Sequence, residues 1–117
     1  MSIITLILAT LVALEHFYIM YLEIFATQSD STSRVFNMTK DELQRESVSK
    51  LFKNQGIYNG LIAVFMLYGV FTANATVVTI FLLNVVLAAT YGALTANKKI
   101  ILTQGGLAIL ALITHLF

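Results

Sequence analysis

The chain has 117 residues, 58% of them hydrophobic and 11% charged, with a formal net charge of +1 and a mean hydropathy of +0.84. A soluble domain carries roughly 25% charged residues, so this composition excludes an ordinary water-exposed surface, and the length points to one domain. Cysteine and proline are both absent, which removes disulfides, thiolate metal sites, thiol nucleophiles and proline kinks.

The first predicted element is an apolar run from Ile3 to Phe25. Its helical length matches a bilayer core of about 30 Å. A cleaved leader is not expected, because Met1-Ser2 supplies no basic region and no A-x-A site follows. Thr27 to Lys53 is the only extended polar segment. Ser and Thr around Asp30 read as loop. Thr39 and Glu42 have capping-box spacing, which predicts a short amphipathic helix running toward Phe52. Leu43, Val48, Leu51 and Phe52 give it an apolar side that could rest on the membrane interface. The alternative is a helix that simply continues into the next span.

Three further apolar spans follow, at about 55–73, 77–96 and 100–117. Thr72 to Thr76 and Asn97-Lys98-Lys99 are short connections, which force antiparallel neighbours. The expected fold is therefore all-α: a four-span transmembrane antiparallel bundle, forming a single integral membrane domain over 1–117.

Orientation follows from charge. All seven basic residues lie in two stretches: Arg34, Lys40, Arg45, Lys50 and Lys53 in one, Lys98 and Lys99 in the other. Short loops rich in Lys and Arg stay cytoplasmic. Loops 27–53 and 97–99 are expected inside, and both termini outside, in a cell (cytoplasmic) membrane. No basic face survives elsewhere to bind nucleic acid.

Each span also carries a polar stripe. At about 100° per residue, Glu15, His16 and Glu23 share an arc of about 100° on the first span. Gln55 and Asn59 lie one turn apart on the second, with Asn54 and Tyr58 nearby. Asn84, Tyr91 and Thr95 fall within about 40° on the third, and Gln104 lies on the fourth. The expectation is that all four stripes turn inward around a polar pocket open to the cytoplasm. Glu15 and His16 stand out, since ionisable groups at mid-bilayer are costly and mark a functional site by default. Neighbours on a helix diverge by about 100°, so each should find its partner on another helix, Glu15 through Asn59, Asn84 or Tyr91. The competing reading is that these amides and hydroxyls are interhelical glue, at about 0.6 to 2 kcal/mol each.

Walker, GxGxxG, G-x-S-x-G and HExxH motifs are all absent. No metal site or cofactor is expected, since Glu15, His16, Glu23 and His115 supply too few ligands at one end of the bundle. Proton chemistry remains, with Glu15 and His16 as an acid/base pair. Glu15, His16, Glu23, Asn54, Gln55, Asn59, Asn84, Tyr91, Thr95 and Gln104 are the candidate binding residues. Three function classes remain open. The leading one is binding, with transport, of a polar or cationic small molecule. The others are an intramembrane isomerase or hydrolase acting on a lipophilic substrate, and an accessory membrane subunit. Gly56 and Gly60 have GxxxG spacing, which would let another helix, including one from a homodimer partner, approach closely.

The segments Ala13–Glu23 and Asn54–Gly60, with Tyr91-Gly92-Ala93 and Gln104-Gly105, resemble a bacterial family of small four-span membrane proteins classed as a domain of unknown function. The resemblance covers essentially the whole chain. It implies architecture and membrane location but no activity, and its motif positions correspond to Glu15, His16, Glu23, Asn54, Gln55, Asn59, Tyr91 and Gln104. A likeness to small multidrug-resistance transporters is architectural only, since their motifs are not matched.

Overall fold

The computed structural model describes residues 1–96 and 98–116. Asn97, in the connection expected at 97–99, and Phe117, the expected end of the fourth span, lie outside the described residues. The fold is all-α. Seven helices and no strand occur among the described residues: α1 (Ile3–Ile24), α2 (Asp30–Phe36), α3 (Lys40–Gln44), α4 (Glu46–Phe71), α5 (Ala75–Thr95), α6 (Ile100–Thr103) and α7 (Gly106–His115).

Two of these helices, α1 and α5, are long and apolar enough to cross a membrane. Their 22 and 21 residues give lengths of about 33 and 32 Å at 1.5 Å per residue. Four continuous spans are not what the helices show. α4 has 26 residues, but its first half is polar, and only the part from Gly60 onward is continuously apolar. The segment expected as a fourth span is divided at Gln104 and Gly105 into α6 and the ten-residue α7. A Cβ on Gly105 would stand 2.7 Å from the Ile101 carbonyl oxygen and 3.1 Å from Ala89 Cβ, so only glycine fits this corner against α5.

The segment between α1 and α4 also departs from expectation. Residues 30–36, read as loop, form α2, with Ser29 as N-cap accepting a hydrogen bond from Thr32 N at 3.2 Å. The Thr39 cap is formed, with Glu42 N donating to Thr39 Oγ1 at 3.2 Å. Its helix, α3, is only five residues long. Residues 46–52 belong to α4, so here the helix runs on toward the next apolar stretch.

The chain divides into two compact units, Met1–Glu15 with Ile62–Phe117, and His16–Leu61. In the first, α5 buries Val78, Leu82, Val85 and Ala89, while α1 contributes Ala9, Val12 and Ala13 and α7 contributes Ala108 and Ala111. Small residues dominate this list, which allows close helix approach. Thr5 and Thr114 link α1 to α7 through their hydroxyls at 2.9 Å. The turn joining α4 to α5 places Ala73 in the left-handed region, φ 52°. Asn74 then caps α5, its Oδ1 accepting from Val77 N at 3.1 Å.

In the second unit the end of α1 runs antiparallel to the start of α4, with Gly56 against Ile24 and Gly60 against Met20. The close approach offered by the GxxxG spacing is thus used within the chain. Phe36 of α2 meets Phe52 of α4 edge-on, with ring centroids 5.0 Å apart. Leu43 is fully buried. Asp30 and Lys40 pair between α2 and α3.

Candidate functional site

The second unit holds a buried polar group of side chains at the end of α1. His16 and Glu23, 5% and 2% exposed, lie seven residues apart, or two helical turns on nearly one face. Across from them, the glycine-mediated contact brings α4 close enough for Asn59 Nδ2 to donate to Glu23 Oε1 at 2.6 Å. No Lys or Arg forms an ion pair with Glu23 among the described residues. Glu23 is therefore a buried carboxyl side chain held by an amide donor.

Two threonines complete the end of α1. Its last carbonyls have no intrahelical donors. Thr27 Oγ1 donates to Glu23 O at 2.7 Å, and Thr32 Oγ1 donates to Leu22 O at 3.2 Å and Ala26 O at 2.6 Å. Both threonines are buried. Sequence reasoning missed them, although hydroxyl residues just past an apolar helix that lacks a terminal glycine are the signal for such capping. A shallow cleft of about 340 Å³ lies between the 24–29 segment and Ser49 and Lys53 of α4.

The remaining candidates are more scattered than expected. Asn59 sits at the level of Glu23, eight residues further along α1 than Glu15, so it serves Glu23. Glu15 is half-buried and its Oε1 is enclosed without a hydrogen-bond partner among the described residues. The boundary between the two units falls between Glu15 and His16. Asn54 is exposed and donates to Lys50 O of its own helix at 3.0 Å, and Gln55 is exposed. Gln104 is half-buried in the break between α6 and α7.

On α5 the inward turn of the polar stripe is not found. Asn84, Tyr91 and Thr95 are all exposed, and Thr95 Oγ1 donates to Tyr91 O of the same helix at 2.8 Å. The buried face of α5, Val78, Leu82, Val85 and Ala89, lies about 130° around the helix from that stripe at 100° per residue. Compact apolar side chains won the interior because they pack without any polar atom to satisfy.

Among the described residues, no group of three or more His, Asp or Glu is arranged to hold a metal ion. Outside the apolar helices, Lys40 beside Asp30 holds that carboxyl below its ordinary value, through its hydrogen bond first and its charge second.

Residues 10–116 match the family described as protein of unknown function (DUF1304). The chain belongs to this family. It is also 63% identical over 119 residues to "Uncharacterized protein YpaA" of Lactococcus lactis subsp. lactis (strain IL1403), covering all of both chains. No solved structure matches it.

Proposed function

We propose that this chain is an integral membrane protein that binds a polar or cationic small molecule at Glu23, on the cytoplasmic side of the bilayer. In this reading it crosses the membrane four times, at about 3–25, 55–73, 77–96 and 100–117, with both termini outside and segments 27–53 and 97–99 inside. Two apolar helices of bilayer length support membrane insertion. The confinement of all seven basic residues to those two segments supports the orientation.

The observation that carries the binding site is the Glu23 carboxylate: 2% exposed, engaged by the Asn59 amide, and without a basic partner among the described residues. A buried carboxylate is costly unless paired, and a ligand cation or a proton supplies what the protein does not. Asn59 orients the carboxylate, and His16 two turns away is the second polar group of the same face. Asn54 and Gln55, on the exposed approach along α4, are the first polar groups an incoming ligand meets. In the other unit, Glu15 offers a second carboxylate with an unused acceptor. Transport is the extension of this reading, with ligand release set by protonation of the carboxylate.

The test is binding of a fluorescent monovalent cation, ethidium, to detergent-purified protein. Glu23→Gln keeps an acceptor for Asn59 and removes the charge. It should weaken binding at least tenfold, whereas Asp41→Asn, which removes a charge on α3, should leave binding unchanged. Equal affinity of wild type and Glu23→Gln would contradict the site.

A further inference from the structure

α5 presents a second feature that the small-molecule site does not use. Ile80, Asn84, Leu87, Tyr91 and Leu94 are all exposed, Leu87, Tyr91 and Leu94 by 68, 71 and 81%. Their spacing of four, three, four and three residues is that of the a and d positions of a heptad, the seam along which two helices pack knobs into holes. The chain's own packing uses the other side of α5, at Val78, Leu82, Val85 and Ala89.

Most of this seam would be content in lipid, but Asn84 would not. It lies about 14 Å from one end of α5 and about 17 Å from the other, at 1.5 Å per residue. Its exposed carboxamide makes no hydrogen bond among the described residues. Hydrocarbon offers neither donor nor acceptor, so an amide left there is unfavourable and drives association with a helix that can satisfy it. α1 supplies an internal comparison. Its exposed Ile4, Ile7, Leu11, Leu14, Tyr18 and Tyr21 follow the same spacing but include no amide, so lipid contact alone accounts for them.

We propose that α5 packs in parallel against α5 of a second copy of this chain, with the two Asn84 carboxamides hydrogen-bonded across the seam. Three arguments select a second copy over another occupant. A carboxamide carries both donor and acceptor, so two copies related by a two-fold axis satisfy each other reciprocally. A single Asn at an a position is the device that fixes register and dimeric state in parallel coiled coils. The one-sided Lys and Arg distribution inserts every copy in the same direction, which brings Asn84 opposite Asn84 at one depth. Ala88, one turn along and also exposed, leaves room for the backbones to approach. The interface rests on the reading of α5 as a membrane span and is independent of the ligand assigned to Glu23.

The absence of cysteine makes the test direct. Single-cysteine variants Ile80→Cys, Leu87→Cys and, as the lipid-facing control, Leu11→Cys are expressed, and their membranes are oxidised with copper phenanthroline. Parallel samples are extracted with alkaline carbonate. The protein should stay in the membrane, with disulfide-linked species of twice the chain mass formed at positions 80 and 87 at least fivefold more than at 11. Adding Asn84→Leu to Leu87→Cys should lower the cross-linked fraction at least fivefold. If carbonate releases the protein, α5 is not a span and the membrane reading falls together with the dimer. If the protein is retained but positions 80 and 87 link no better than 11, the dimer is overturned and the membrane reading stands. The dimer is overturned in the same way if Asn84→Leu changes nothing, or if the product has a mass other than twice the chain.

Discussion

Glu23 on α1 and Asn59 on α4, 36 residues apart in sequence, meet in a 2.6 Å side-chain hydrogen bond made possible by two glycines. Gly56 and Gly60 let the helices approach until the amide reaches the carboxylate. Packing and polar chemistry are therefore coupled at this position. A buried acceptor stripped of its donor costs about 1–3 kcal/mol, so Asn59→Leu should destabilise the protein by that amount in thermal unfolding of the detergent-solubilised form. Glu23→Gln, which keeps an acceptor, should cost less than about 1 kcal/mol, the size of a neutral hydrogen-bond adjustment. Wild-type stability in Asn59→Leu would remove the bond from this account.

The two glycines should respond differently to alanine. At Gly56 the new Cβ would stand 2.5 Å from Ile24 Cγ1 and 3.2 Å from Glu23 Cβ. Ile24 is β-branched and held to one rotamer in a helix, and Glu23 Cβ is fixed to its backbone. Overpacking of this kind costs about 1–3 kcal/mol. At Gly60 the near atom is Met20 Sδ at 2.5 Å, the far end of a flexible side chain that can swing aside. The gain in helix propensity from Gly to Ala, about 1 kcal/mol, then offsets the displacement. Gly56→Ala should lower the melting temperature and Gly60→Ala should leave it near wild type. Equal losses at both positions would contradict the register.

How much of this was legible in the sequence differs from element to element. The helical class and the limits of α1 and α5 follow from uninterrupted apolar runs, because hydropathy reports burial or lipid contact directly. The Thr39 cap was legible from Glu42 three residues on. α2 was not, because its start, Ser29 with Thr32, lacks the acidic residue that marks a capping box. For α5 the phase of the polar stripe was correct, but phase alone cannot say which side faces inward. Val78, Leu82, Val85 and Ala89 decided that by fitting the interior better. At the break at Gln104–Gly105 a side chain on Gly105 would meet the Ile101 carbonyl oxygen and Ala89, a fit that apolar periodicity does not carry. For the site, the pairing of Glu23 with Asn59 rather than Glu15 depends on the α1–α4 register, which only the glycine contacts set.

Acid should loosen the α2–α3 segment by removing the Asp30–Lys40 pair. Lys40 holds the Asp30 carboxyl below its ordinary value of 3.8, and a group whose folded pKa is depressed stabilises above its unfolded pKa. That contribution is complete above the ordinary aspartate range and is lost as pH falls through the lowered folded value. Both side chains are largely exposed, so salt should weaken the pair as well. Amide hydrogen exchange of residues 30–44 should speed up relative to α5 below the ordinary aspartate range, and Asp30→Asn should abolish that pH dependence while raising the neutral-pH rate. An unchanged profile in Asp30→Asn would assign the acid response to another group.

Ala73 offers a test of the turn between α4 and α5. Its φ of 52° places an L-residue where Cβ crowds the carbonyl oxygen, a cost of about 1–2 kcal/mol. The conformation persists because it closes the helix end, with Ala73 N donating to Val70 O at 3.1 Å and Asn74 N to Gly69 O at 2.9 Å. Glycine adopts this geometry freely, at the expense of about 0.4–1 kcal/mol of extra unfolded-chain entropy. The difference favours glycine, and Ala73 is exposed, so no lost packing opposes the change. Ala73→Gly should therefore raise stability by about 0.5–1 kcal/mol, seen as a higher melting temperature in detergent. Ala73→Val should lower it, because a β-branched side chain tolerates the left-handed region least. If glycine destabilised and valine did not, residue 73 would lie in an ordinary helical or extended conformation, and the α4–α5 connection would close by a different turn.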